Sequence, residues 1–518
     1  METEVLIIGG GTTGTGIARD LALRGISCIL IDQKDINAGA SGANHGLLHS
    51  GARYIFKDAE AAVECHRENQ LLKKLAPHCI EDTGGLFVAI EQDDDDYIAE
   101  FPRLCDQFGL PFRALSPDEA REKEPCLAEN VKAAFEVADA VVDPFMLSLD
   151  NAAHAQAKGA AILRNVKLRG FEVHRGNIRS ARVENMRTGE SFSIEALEFV
   201  NAAGAWADGV AAMAGAHISM SYSKGSLLVT QSRINDRVIN RLRPASDADI
   251  LVPGGTVSII GTTSIEIDNL DDIRPTPLEV DDIIREGADM VPQLASTRYI
   301  RAYAGVRPLV RTSGGDGRNI SRNYTLKSHE ADEIHNLVTI TGGKLTTFRL
   351  MAEKASDIVA QRLKNTNPCL TATETLPPSA KGEWTEPGKA PRVWMKNPER
   401  RDTLICECEM VSEYMVDEIV NDLKAEGAVP TLEEVGRRSR IGKGPCQGTF
   451  CSFRLAAYLY RKGDLSDAQG MDQVRDFVNE RWKGFMPLVR DKELMRVELQ
   501  ESFLCALFGM EEDLYGNE

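Results

Sequence analysis

Two groups of residues have the types and spacing to do chemistry. The first is a set of four late cysteines, Cys406-x-Cys408 and Cys446-x₄-Cys451. Thiolates in two pairs can hold zinc or an iron–sulfur cluster, or the thiols can be unligated. Zinc ribbons favour Cys-x₂-Cys, and neither pair has that spacing. Gly442, Gly444 and Gly448 flank the second pair, so backbone N–H groups can turn toward anionic sulfur. The second group lies in residues 38–54, where Gly39, Gly42, Gly46 and Gly51 stand beside Ser41, Asn44, His45, His49 and Arg53. An imidazole titrates near working pH and suits a general base. His49 is the first choice, with His45 and Tyr54 in reserve. A guanidinium suits a phosphate, which it can grip with two parallel bonds.

The elements that must position the second group come just before it. The apolar run Val5-Leu6-Ile7-Ile8 predicts a strand buried on both faces. It enters a glycine turn, a helical pattern follows, and a second strand over 27–31 ends at Asp32. Gly9-x-Gly11-x-x-Gly14 thus stands in the context that dinucleotide binding needs. Gly9 permits the turn, Gly11 lets backbone approach a pyrophosphate, and Gly14 lets helix and strand pack closely. Asp32 is placed to accept from a ribose diol. The motif suits NAD or FAD, but its position at residue 9 is typical of a flavin lying extended through a first domain. Gly254-Gly255 and Gly342-Gly343 lack the spacing of a second fingerprint.

Further segments complete a family pattern: Asn201-Ala-Ala-Gly-Ala-Trp206, Tyr303-Ala-Gly-Val-Arg-Pro308, Ile320-Ser-Arg-Asn-Tyr324 and Gly342-Gly-Lys-Leu-Thr-Thr-Phe-Arg349. With the loop over 38–54 they resemble the FAD-dependent glycerol-3-phosphate dehydrogenases over roughly residues 1–365. The resemblance implies FAD contacts from Gly9, Gly11, Thr12, Thr13, Gly14, Asp32, Ser41, Asn44, His45, Gly46, Leu47, Val166, Ala203, Gly204, Trp206, Gly343, Lys344, Leu345 and Thr346. It implies that Arg53, Tyr54, Arg307 and Arg322 receive the phosphate, and that His49, Arg307 and Lys344 serve catalysis. Lys344 would place positive charge near a flavin that gains electron density. The implied reaction takes a hydride from sn-glycerol 3-phosphate to flavin N5 and leaves dihydroxyacetone phosphate. One departure stands out: after Lys224-Gly225-Ser226, where aerobic members carry a histidine, this chain has Leu227-Leu228.

Residues 404–455 resemble the bacterioferritin-associated-ferredoxin-like 2Fe–2S domain, which implies that Cys406, Cys408, Cys446 and Cys451 hold a 2Fe–2S cluster. A flavin accepts two electrons together, and such a cluster passes them on singly. The pairing of modules resembles the anaerobic branch of the family. That implies two further subunits, electrons delivered toward quinone, and a place at the inner face of the cell membrane.

The expected fold class is α/β: a Rossmann-like FAD domain of the D-amino-acid-oxidase/glutathione-reductase type with an interleaved substrate cap, plus a small helical cysteine-rich domain. The FAD domain is expected from 1–61, 147–215 and 300–365, and the cap from 62–146 and 216–299. Six prolines between 365 and 399 predict a linker over 366–400 with little regular structure. The cluster domain then takes 401–465 and a helical extension 466–518. The acidic run Asp93 to Asp96 reads as a solvated turn. The apolar run from Phe503 to Phe508 reads as packed on its own domain or against a partner.

Composition bounds the function. With 518 residues, about three domains are expected. A 43% hydrophobic, 27% charged chain is globular rather than disordered or fibrous. A net charge of −18 argues against nucleic-acid binding as the main activity. No apolar run reaches the roughly 18–20 residues of a spanning helix, so membrane attachment is expected only through a partner. Met1-Glu-Thr-Glu lacks a positive leader, and eleven scattered cysteines do not suit a disulfide framework, so a cytoplasmic setting is expected. Two other functions compete: a flavin dehydrogenase of another 2-hydroxy acid or an amine, and a redox-sensing binding protein, which needs neither base nor phosphate arginines.

Overall fold

The computed structural model describes residues 1–271, 273–310, 323–396, 402–490 and 492–508. Strand β1 (Glu2–Ile8) lies inside a parallel sheet, between β2 (Cys28–Asp32) and the strand Ser191–Asn201. Ala161–Arg164 and Leu337–Gly342 extend the parallel run on either side. Val5 and Ile7 enter one hydrophobic core, Leu6 and Ile8 the opposite one, which is why four apolar residues follow one another without alternation. Helix α1 (Thr12–Leu23) covers one face together with helices Pro144–Ala157 and Phe348–Arg362. Antiparallel strands Val166–His174 and Asn177–Asn185 extend the sheet beyond Ser191–Asn201.

A second, nine-stranded sheet forms the cap. Its longest ladder joins Met220–Thr230 to Tyr299–Val310, with Ser223 opposite Arg307 and Leu227 opposite Tyr303. The segment 300–310, expected in the FAD domain, therefore belongs to the cap sheet. Its side chains alternate between cap core and cavity, a period that a domain boundary drawn from motifs ignores. Leu228 enters the cap core, whereas Leu227 borders the cavity.

Two expectations from local composition fail. Asp93 is buried with Arg241, whose Nη2 lies 3.1 Å away, and Asp94 caps the helix Asp95–Phe108, so this acidic run is only partly solvated. The proline-rich stretch contains helices Ala380–Glu383 and Lys389–Lys396, and Trp384 and Ala390 are buried in the core of the C-terminal domain. Apolar side chains between the prolines supply the burial that proline content conceals.

The C-terminal domain pairs Leu404–Cys406 with Val411–Ser412 and surrounds them with helices Glu413–Ala425, Leu432–Arg438 and Cys451–Lys462. Helices Asp467–Phe485 and Lys492–Phe508 follow. Within the late apolar run Cys505 is buried and Ala506 exposed. This domain rests on the parallel sheet: Arg438 donates Nη2 to Asp35 at 2.9 Å, and Arg164 reaches Asp35, Glu426 and Glu434. Among the described residues no helix is long and apolar enough to cross a membrane.

Candidate active site and cysteine centre

A cavity of about 770 Å³ runs from the glycine turn to the cap sheet. It is lined by Gly9, Gly11, Thr12, Thr13, Asp32, Ser41, Asn44, His45, Leu47, Val166, Ala203, Gly204, Trp206, Gly343, Lys344 and Leu345. His49, Arg53, Tyr54 and Arg307 line it as well. Gly14, Gly46 and Thr346 are not on its wall. Arg322 lies outside the described residues.

The glycines are there for lack of room. A Cβ on Gly9, whose φ is +116°, would meet the Ala202 carbonyl oxygen at 2.4 Å, and one on Gly14 would meet that of Gly9 at 1.9 Å. Gly14 thus shapes the turn from behind. Gly11 heads α1 without a side-chain cap, and Ser41 Oγ accepts the Thr12 N–H at 3.0 Å. Asp32 accepts from the Gly10 N–H at 2.7 Å and the Lys34 N–H at 2.8 Å, which fixes its carboxylate at the end of β2. Burial pushes its carboxyl group up. A narrow glycine cradle at a helix N-terminus, with a fixed carboxylate beyond it, fits the pyrophosphate and ribose of FAD.

At the other end, Tyr54 Oη and His49 Nε2 are 3.2 Å apart, and the His49 N–H donates to Thr346 Oγ1 at 3.0 Å. Thr346 therefore positions the histidine from outside the cavity. Lys344 Nζ lies 4.4 Å from the Tyr54 ring centroid. Arg53 is anchored to buried Asp249 at 2.5 Å, and Asp249 also takes Arg243 Nε at 2.8 Å. Arg307 donates to Ser223 Oγ at 3.2 Å, to the Thr263 carbonyl at 3.0 Å and to Thr262 Oγ1. The cap is latched to the loop over 38–54, since Tyr303 Oη donates to the Asn44 carbonyl at 2.7 Å. Gly305 leaves no space for a Cβ against the Ala43 carbonyl, 2.2 Å away. Sequence reasoning misses Asp249, Ser223, Thr262 and Thr263. They sit in cap strands or loops without a motif, and only Gly225, where a Cβ would meet Arg307 Nη2 at 2.5 Å, hints at the crowding there.

The four late cysteines come together. Cys451 faces both Cys406 and Cys446, and Cys446 also faces Cys408. The Cys451 thiol holds Cys446 down to about 5, helped by N–H groups of Gly448 and Phe450, and likewise lowers Cys406, aided by N–H groups of Glu409 and Gly442. Gly444 lets Cys408 pass, since a Cβ there would lie 2.4 Å from Cys408 Cβ. Among the described residues, the only three potential ligands that converge within 4.8 Å are His78, Cys79 and Asp150. There Asp150 is occupied in tying the proline-rich stretch, through Ser379, to the helix Pro144–Ala157. The four thiols form a run and do not converge on one point, an arrangement that suits two irons better than one zinc.

Fold and site together define a flavin-dependent oxidoreductase with an iron–sulfur module. The profile for FAD dependent oxidoreductase matches residues 4–357, and that for the BFD-like [2Fe-2S] binding domain matches residues 404–461. The chain is 44% identical to the first subunit of the anaerobic glycerol-3-phosphate dehydrogenase of Escherichia coli, covering 99% of this chain and 98% of that one. It is 40% identical to the protein of the same name from Haemophilus influenzae, over 98% and 94%. Among solved structures, the glycerol-3-phosphate dehydrogenase from Bacillus halodurans complexed with FAD superposes with a TM-score of 0.67 at 22% identity, over 95% of this chain and 97% of that one. The chain belongs to the FAD-dependent oxidoreductase family and, within it, to the first subunits of the anaerobic glycerol-3-phosphate dehydrogenases. Its cofactors are FAD and a 2Fe–2S cluster.

Proposed function

We propose that the chain oxidises sn-glycerol 3-phosphate to dihydroxyacetone phosphate and passes the electrons, one at a time, to partner subunits and on to quinone. The observation that carries this is the convergence of His49, Tyr54, Arg53, Arg307 and Lys344 on the cavity that also holds the glycine cradle. When bound, FAD supplies a two-electron hydride acceptor, and the cluster supplies a one-electron carrier. His49 takes the hydroxyl proton at Nε2 as the hydride leaves the carbinol carbon, and Tyr54 fixes the ring. Arg53 and Arg307 bind the phosphate dianion, each braced by the cap so that its guanidinium needs little reordering. The cap excludes water from the reacting carbon. Cys406, Cys408, Cys446 and Cys451 hold the cluster.

Two further subunits receive the electrons, and the chain sits at the cytoplasmic face of the membrane through them. Likeness along the whole chain to relatives named as one subunit of a larger dehydrogenase supports the existence of these partners.

The test is anaerobic addition of glycerol 3-phosphate to flavin-replete protein. Bleaching of the flavin band, followed by loss of the iron–sulfur absorbance, is expected. A flavin that stays oxidised sinks the assignment.

A further inference from the structure

Gly442 and Gly448 bracket the second cysteine pair with φ of +79° and +89°. The Gly442 N–H points to Cys406 and the Gly448 N–H to Cys446. Both glycines press against the same two side chains of the helix Asp467–Phe485, beyond the segment matched by the 2Fe–2S family. A Cβ on Gly442 would lie 2.8 Å from Phe477 Cζ and 3.3 Å from Arg481 Cζ, and one on Gly448 would lie 2.8 Å from Phe477 Cε1. The Arg481 guanidinium stacks 4.9 Å from the Phe477 ring centroid and donates Nη1 to the Gly442 carbonyl at 3.1 Å. Its Nε is buried with no hydrogen-bond partner.

The helix is held firmly. A Cβ on Gly484 would meet the Ala302 carbonyl at 2.5 Å, and Glu480 pairs with Arg301 at 3.4 Å. Both partners lie on the strand Tyr299–Val310, which also carries Tyr303 and Arg307. A buried cation with an unsatisfied donor, set behind two glycines that feed N–H groups to thiolates, wants an anion in front of it. Two irons, two sulfides and four thiolates carry net negative charge that grows on reduction, and such a centre is tuned by nearby charge and by the hydrogen bonds to its sulfurs.

We propose that Arg481 is a positioning residue for the 2Fe–2S centre: its charge favours the reduced cluster, and its bond to Gly442 holds the N–H donor on Cys406. The proposal rests on the four cysteines holding the cluster.

The test is a redox titration of the anaerobically purified full chain, read by electron paramagnetic resonance of the reduced cluster alongside iron content and flavin bleaching. Arg481→Gln is expected to make the cluster about tenfold harder to reduce, a fall in midpoint of about 59 mV for one electron. Bleaching by glycerol 3-phosphate should be unchanged. Arg481→Lys, which keeps the charge, should stay nearer the wild-type midpoint. If Arg481→Gln loses iron, retention of iron in Arg481→Lys supports the proposal. Midpoints equal to wild type in both variants overturn it, as does a lysine variant that shifts or loses iron as far as the glutamine variant. A wild-type chain with no cluster signal instead refutes the assignment of the cysteines.

Discussion

The hydroxyl of Tyr54 lies 3.2 Å from Nε2 of His49, with the two rings edge to face and their centroids 5.1 Å apart. The pair sits one short 3₁₀ turn apart, so one loop sets both the nitrogen and the group that orients it. If His49 is the base, His49→Ala should lower turnover about 10²- to 10⁴-fold while flavin content stays at wild type. Tyr54→Phe should lower it less. Steady-state rates with an artificial acceptor, normalised to bound flavin, check this; an active His49→Ala enzyme would hand the role to another group.

Ser223, Thr262 and Thr263 brace Arg307 at the cavity wall through neutral oxygens, which hold the guanidinium without cancelling its charge. Arg307→Ala is expected to raise KM for glycerol 3-phosphate about tenfold to a hundredfold, the worth of charge-assisted bonds. Arg53→Ala should add a stability loss, because Asp249 is buried and loses one of its two arginines. Unchanged kinetics with glycerol 3-phosphate in both variants would favour another 2-hydroxy acid or an amine as substrate.

Cys406→Ser should leave substrate bleaching of the flavin intact and stop electron exit to the natural acceptor. Gly444→Ala should do the same by a steric route, since its new Cβ would collide with Cys408. Iron content, the visible spectrum and half-reaction rates separate the two steps. Normal exit from either variant contradicts a relay through this centre.

Asp35 gives a pH dependence. Burial opposes its ionisation, but the guanidiniums of Arg438 and Arg164 prevail and hold its carboxyl group well below the usual range. A carboxyl lowered on folding stabilises the folded state fully above the unfolded value of about 3.9, and that contribution fades as pH falls through and below it. Acidification below about pH 4 should therefore loosen the C-terminal domain from the sheet. Asp35→Asn should remove that part of the acid sensitivity and lower stability at neutral pH. Thermal melts across pH check both; identical acid limbs would show that this pair does not control docking.

The dinucleotide turn is legible in the sequence because each of its requirements is local. Gly9 and Gly14 are fixed by contacts in and beside the strand–turn–helix unit, and β1 announces a two-faced burial by its unbroken apolar run. The cysteine pairs are legible from residue type. Motifs misplace the segment 300–310 because its pairing with Met220–Thr230 is non-local, and they misread the stretch 366–400 because proline count says nothing of Trp384 packing elsewhere. Asp249 and Arg481 carry no motif, and each acquires its meaning only from the buried groups that the fold sets against it.

The contact between Arg438 and Asp35 makes the two modules poor candidates for separation. Excising the cysteine domain would strand Asp35 and Arg164 at a newly wetted face near the end of β2, and the loss of a buried partner costs about 3–5 kcal/mol. A flavoprotein half prepared on its own should thus be fragile beside the adenine end of its pocket, and a lineage that shed the domain would have had to neutralise those charges as it did so.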